Sequence, residues 1–193
     1  MLRNQIRAAI VMTLALCAVT GVVYPGVVTA LAQSLFPRQA NGSLVSVNGR
    51  VVGSTLIGQS FTQAYYFHPR PSATRHDAAA SAATNKGPTD STLAAAVAAR
   101  ADSVRAREGV AAGRLPADML TASASGIDPH ISPASARLQV ARVARARGAD
   151  SAAVRALVDR HTEGRQFGIL GEPRVNVLLL NVALDSLFPR PGT

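Results

Sequence analysis

Between Arg7 and Arg38 the chain carries thirty consecutive residues without a formal charge. Its centre, AAIVMTLALCAVTGVV from Ala8 to Val23, offers nothing more polar than a hydroxyl or a thiol. A helix needs about 20 apolar residues to cross a bilayer, and residues 8–32 supply them. Pro25-Gly26 predicts a kink or a loosening toward the far end, which a spanning helix tolerates. A cleaved secretory leader competes with a permanent anchor. Ala30-Leu31-Ala32 before Gln33 is a small-residue cleavage pattern, but leader cores run only about 7–15 residues. Length favours the anchor. In both cases Arg3 and Arg7 hold the leading residues in the cytoplasm and the remainder is exported. The expected organisation is a cytoplasmic segment 1–7, a transmembrane helix 8–32, a linker 33–43 containing Pro37, Asn41 and Gly42, and an extracytoplasmic domain 44–193.

That topology changes the meaning of the charge. The chain has 20 Lys+Arg against 11 Asp+Glu, a formal +9, and Lys86 is the only lysine. Without Arg3 and Arg7 the exported part keeps +7, on a side of the membrane where chromosomal DNA is absent. Eight aromatics and no Trp also argue against stacking on single-stranded nucleic acid. The single cysteine, Cys17, falls mid-span. It excludes an intramolecular disulfide framework and a cysteine zinc site.

Past the linker, Asn48-Gly49 between β-branched runs predicts a hairpin over 44–53, because both turn residues need positive φ. Residues 56–61 read as a further strand or a turn. Tyr65-Tyr66-Phe67 gathers three of the domain's six aromatics and ends at His68-Pro69-Arg70-Pro71, an extended segment. Residues 72–89 read as a surface loop. Asp90 or Ser91 caps a helix to about Arg107, with Leu93, Val97, Ala101 and Val104 inward and Arg100, Arg105 and Arg107 in water. Met119–Ala124 is a candidate strand. Ser132 caps a helix that opens on Pro133 and stops at Gly148. Asp150 caps another to about His161, with Val154, Leu157 and Val158 inward. The last is expected over Val175–Leu187, with Val177, Leu180, Asn181 and Leu184 inward. Four helices and a hairpin or small sheet make an α+β domain. Arg137, Arg142, Arg145 and Arg147 read either as a solvated face or as a dock for an acidic partner or lipid headgroups.

The usual catalytic signatures are missing. There is no Walker A loop, no dinucleotide fingerprint, no HExxH and no Asp-Lys-Thr-Gly phosphorylation stretch. A hydrolase reading would use Ser125 as nucleophile, His130 as base and Asp128 as orienting acid. Three such groups within six residues of one loop align poorly, and a structural turn is the simpler reading.

Taken together, the motifs resemble the C chain of the bacterial Kdp potassium-transporting ATPase. The resemblance runs through Tyr24-Pro25, Gly53-Ser54, Leu56-Ile57-Gly58-Gln59 and Tyr66-Phe67-His68-Pro69-Arg70-Pro71-Ser72-Ala73. It continues in Asn85 with Gly87-Pro88-Thr89, in Thr121-Ala122-Ser123 and in Ser125-Gly126-Ile127-Asp128-Pro129-His130-Ile131-Ser132-Pro133. Gln139 with Arg142-Val143-Ala144 follows, then Gly171-Glu172-Pro173-Arg174-Val175-Asn176-Val177-Leu178 and Leu180-Asn181. Lys86 and Ser81-Ala82-Ala83-Thr84 depart from the family's apolar and Gly-rich pattern.

The resemblance implies a non-catalytic, single-pass accessory subunit of an inner-membrane potassium importer, needed for its assembly and activity. Its partners would be a channel-like potassium-binding chain, a P-type ATPase chain and a small single-span chain. ATP and potassium belong to the complex, and a modulating effect on ATP affinity has been proposed for the family. No cofactor or metal is assigned to this chain. Candidate docking residues are Tyr66, Phe67, His68, Arg70, Ser125, Asp128, His130, Glu172, Arg174 and Asn176. Small positions for packing in the membrane are Ala9, Thr13, Ala15, Thr20 and Gly21. An acidic or carbonyl-lined spot near Asp128 or Glu172 would have to offset the domain's positive charge if potassium passes nearby. The rival readings are a secreted or anchored Ser/His hydrolase and an unrelated scaffold domain.

Overall fold

The computed structural model describes residues 2–111, 113 and 115–190. The remaining positions of the 1–7 and 44–193 segments lie outside the described residues. The chain divides into two compact units, Met1–Leu44 and Val45–Thr193.

The first unit is one long helix with a short appendage. α1 (Leu2–Ala18) passes through a π turn (Val19–Val23) into α2 (Tyr24–Leu35). No residue of the 34-residue run is buried. At 1.5 Å per residue it is about 51 Å long, well beyond the roughly 30 Å of a hydrocarbon core. The helix therefore extends past both ends of the expected 8–32 span. Pro25 explains the π turn. Proline lacks an N–H and its ring crowds the carbonyl four residues back. The helix widens one turn earlier, and the Tyr24 N–H reaches five residues back to the Val19 carbonyl. The expected linker is mostly helical too: α2 runs to Leu35 and α3 covers Pro37–Ala40.

The second unit is α+β, as expected. β1 (Leu44–Val47) and β2 (Arg50–Ser54) form the hairpin. Asn48 and Gly49 take φ of +50° and +77° at its turn. α4 (Ser91–Glu108), α5 (Pro133–Arg147) and α6 (Ser151–Arg160) start at Asp90, Ser132 and Asp150. Each of these caps accepts backbone N–H bonds, from Thr92, from Ser135 and from Ala152 with Ala153. Gly109 and Gly148 end α4 and α5 in the left-handed conformation. Arg100, expected in water, is half-buried and donates to the Leu120 carbonyl (2.9 Å).

Two expectations fail. Met119–Ala124 is not a strand: a 3-10 turn spans Ala117–Met119 and irregular chain follows. Its hydroxyls satisfy the backbone locally, Thr121 donating to the Ala117 carbonyl and Ser123 accepting from the Ser125 and Gly126 N–H groups. Such bonds compete with a ladder. The last helix starts later than expected. Residues 174–176 are a strand, β5 (Arg174–Asn176), and α7 covers Val177–Leu187 with Asn176 as its cap. β5 is the centre of an antiparallel sheet between β3 (His130–Ile131) and β4 (Thr162–Glu163), with Val175 opposite both Ile131 and Thr162.

The core gathers Ile131, Val140, Val143, Val154, Leu157, Val158, Val175, Leu180 and Leu184 around Phe67. Gly58 lets two loops close on each other. Its N–H bonds the Ile127 carbonyl at 2.7 Å, and a Cβ there would stand 2.5 Å from the Asp128 carbonyl oxygen.

Candidate functional site

The aromatic-proline segment is a strap laid across α5 and α7. Pro69 and Pro71 exclude it from a ladder, yet Phe67 at its centre is fully buried. Buried backbone groups must find partners, and here side chains provide them. Asn181 accepts from the Phe67 N–H and donates to its carbonyl, both at 2.9 Å. Gln139 does the same at His68, at 2.7 and 3.2 Å. Two side-chain amides thus act as a substitute strand.

Two arginines tie the strap further. Arg142 donates to the carbonyls of Ala64 and Tyr66, to Gln139 and to Glu108 (2.9 Å). Arg147 donates to the carbonyls of Tyr65 and Phe188 and to Asp185 (2.7 Å). Its guanidinium lies over the Tyr65 and Tyr66 rings, and Tyr66 donates its hydroxyl to Asp185 (2.8 Å). The arginine run of α5 is therefore not one face. Arg142 and Arg147 are internal girders; only Arg137, paired with Asp159, and Arg145 are exposed.

Glu108, 6% exposed, escaped the sequence reading. Its signal was a carboxylate continuing the Ala101–Val104 stripe at helical spacing. Arg107 and Arg142 neutralise it.

The expected docking set splits. Phe67 and Asn176 are corrected out of it, because both are buried and offer no surface. Asn176 donates to the Thr55 carbonyl and caps α7. Tyr66, His68, Arg70, Asp128 and His130 are half-buried; Ser125, Glu172 and Arg174 are exposed. Arg70 and Asp128 join the strap to the 121–133 loop through a 3.1 Å ion pair. Burial pushes the Asp128 carboxyl up, but hydrogen bonds from His130 and Arg70 outweigh it and hold its pKa below the ordinary value.

The hydrolase constellation does not assemble. Ser125 Oγ lies 3.1 Å from Ser123 Oγ and accepts from the Ile127 N–H. Among the described residues no hydrogen bond joins it to His130. Neither named carboxylate is bare for potassium, since Glu172 is held by Arg165. A cavity of about 460 Å³ beside the strap is lined by His68, Arg70, His76, Arg100, Arg107 and Asp118. Its excess of arginine repels cations.

In the long helix the five small positions do not make one stripe. Ala15 lies about 200° round from Thr13 at 100° per residue. Thr20 and Gly21 fall in the π turn, where Thr20 donates to the Leu16 carbonyl.

The family profile described as KdpC, the K+-transporting ATPase c chain, matches residues 6–186. The chain belongs to the KdpC family. A relative from Gemmatimonas aurantiaca, named potassium-transporting ATPase KdpC subunit, is 63% identical over 95% of this chain and 94% of its own length. One of the same name from Sorangium cellulosum is 57% identical over 94% and 97%. Another, from Rhodospirillum rubrum, is 55% identical over 98% of both chains. KdpC is a subunit of the transporter and not itself its catalytic chain. That agrees with a lobe whose buried polar groups grip its own backbone.

The strap is expected to make this KdpC lobe sensitive to acid. Burial pushes the His68 pKa from 6.5 down to about 4; the Gln63 carbonyl and Glu108 pull it up, and Arg142 and Arg107 push it down. The folded pKa lies below the unfolded one, so the neutral ring's contribution is complete above about pH 6.5 and is lost as pH falls toward 4. Urea titrations of the full chain in detergent at stepped pH check this. The expected result is a decline across that window, flattened in His68→Gln; an unchanged slope in the variant contradicts it.

Proposed function

We propose that this chain is the accessory subunit of an ATP-driven, high-affinity potassium importer in a bacterial inner membrane. The carrying observation is the family match over residues 6–186, which takes in both the apolar helix and the lobe. The helix stays as a tether. The thirty uncharged residues between Arg7 and Arg38 exceed the roughly 7–15 of a leader core, which supports retention over cleavage. Arg3 and Arg7 favour a cytoplasmic start and an extracytoplasmic lobe.

In this reading the lobe braces the outer mouth of the channel-like chain, and the helix packs beside that chain through positions such as Ala9, Thr13 and Thr20. Tyr66, His68, Arg70, Ser125, Asp128, His130, Glu172 and Arg174 remain the docking set. The P-type ATPase chain supplies ATP hydrolysis and the small single-span chain completes the complex. ATP and potassium are handled by those partners, and any effect of this chain on ATP affinity is indirect.

The test is affinity capture of the intact chain from native membranes, with N-terminal sequencing of the captured material. A P-type ATPase and a channel-like protein should be recovered beside a chain that still contains residues 8–32. A chain recovered alone and starting near Gln33 overturns the reading.

A further inference from the structure

The hairpin between β4 and β5 turns its apolar residues outward. Gln166 and Leu170 exchange both backbone hydrogen bonds at 2.9 Å, and the Gly168 N–H closes on the Arg165 carbonyl at 3.1 Å. The tip is thus a closed, regular turn. Yet Phe167 is 84% exposed, Ile169 74% and Leu170 55%. The other large apolar side chains exposed on the described lobe, Leu44 at its start, Val51, Leu56 and Leu187, stand singly along the chain. Phe167 also sits at φ +54°, a left-handed conformation that Asn or Gly holds more easily than an aromatic residue. Neither local conformation nor the solubility of an isolated lobe calls for phenylalanine there.

The collar below the tip decides what it meets. Arg165 pairs with Glu172 (2.7 Å) and Arg174 with Glu163 (3.0 Å). Segments that lie on bilayers carry an excess of basic charge facing anionic headgroups. This collar is neutral, and each arginine is tied to a carboxylate. An aromatic centre inside a polar rim matches the anatomy of a protein–protein contact.

We propose that Phe167, Ile169 and Leu170 form a docking finger that seats in an apolar pocket on another subunit of the potassium-transporting ATPase. The proposal rests on the subunit reading above. It gives Glu172 and Arg174 of the docking set the role of rim and brace, with the contact itself on the tip between them.

The test places a photo-reactive phenylalanine derivative at position 167 of the full chain and purifies the complex from membranes. Irradiation should link it to another subunit. In parallel, Phe167→Asn with Ile169→Ser should lower the co-purified subunits about tenfold or more. The melting of the lobe should stay as it was, because these side chains face solvent. Links to lipid alone, links to a second copy of this chain, no link, or full co-purification of the double variant each overturn the finger. If the double variant is degraded, the link at 167 decides, since it keeps an aromatic ring in place. The two readings fail separately. An unsubstituted chain that captures no transporter subunit sinks the subunit reading; one that captures them without contact at 167 sinks only the finger.

Discussion

Arg142→Ala is expected to lower the stability of the lobe by about 3–5 kcal/mol, the usual cost of removing one partner of a buried ion pair. The arginine is only 7% exposed and engages Glu108, Gln139 and two strap carbonyls. Its loss leaves Glu108 buried with Arg107 alone and strips donors from residues 64 and 66. Urea unfolding of the full chain in detergent, followed by tyrosine near-ultraviolet dichroism, checks this, because Tyr65 and Tyr66 report on the strap. Glu108→Gln in the same chain should return part of the loss, since the stranded charge is then gone. A cost under about 1 kcal/mol would show that the pair is solvated.

Phe67→Ala should cost a similar amount, about 3–5 kcal/mol, through the cavity it leaves at the centre of the core. The clamp by Asn181 acts on the main chain and survives the substitution, so this loss reports on packing alone. Phe67→Leu should recover most of it. A mild effect of Phe67→Ala in the same unfolding assay would mean that the strap lies over the core without filling it.

Local chemistry was legible in the sequence. Asp90, Ser132 and Asp150 satisfy the first N–H groups of their own helices, and Gly109 and Gly148 allow the left-handed ending, so α4, α5 and α6 were expected close to where they lie. The Asn48-Gly49 turn is local in the same sense. What failed depends on distant partners. β5 is a strand because β3 and β4 flank it, and three residues after Pro173 do not reveal that. Arg142 and Arg147 are buried because carbonyls 76 to 82 residues away need donors.

The candidate site was legible in part. Two of the three stretches that hold the expected docking residues, 66–70 and 125–130, do adjoin, through Arg70 and Asp128. Within them, Phe67 looked available and is core. Phe167, Ile169 and Leu170 drew no attention, because large apolar residues ordinarily signal the inside.

The strap also dictates an order of events. Its partners on α5 and α7 lie 71 to 119 residues further along the chain, and Asn181 stands near the end of what is synthesised. The first half of the lobe must therefore wait, unfinished, until almost all of the polypeptide has emerged. Contacts of such long separation close slowly. During that delay the nascent segment is open to proteases and chaperones, and it folds only once its last helix arrives.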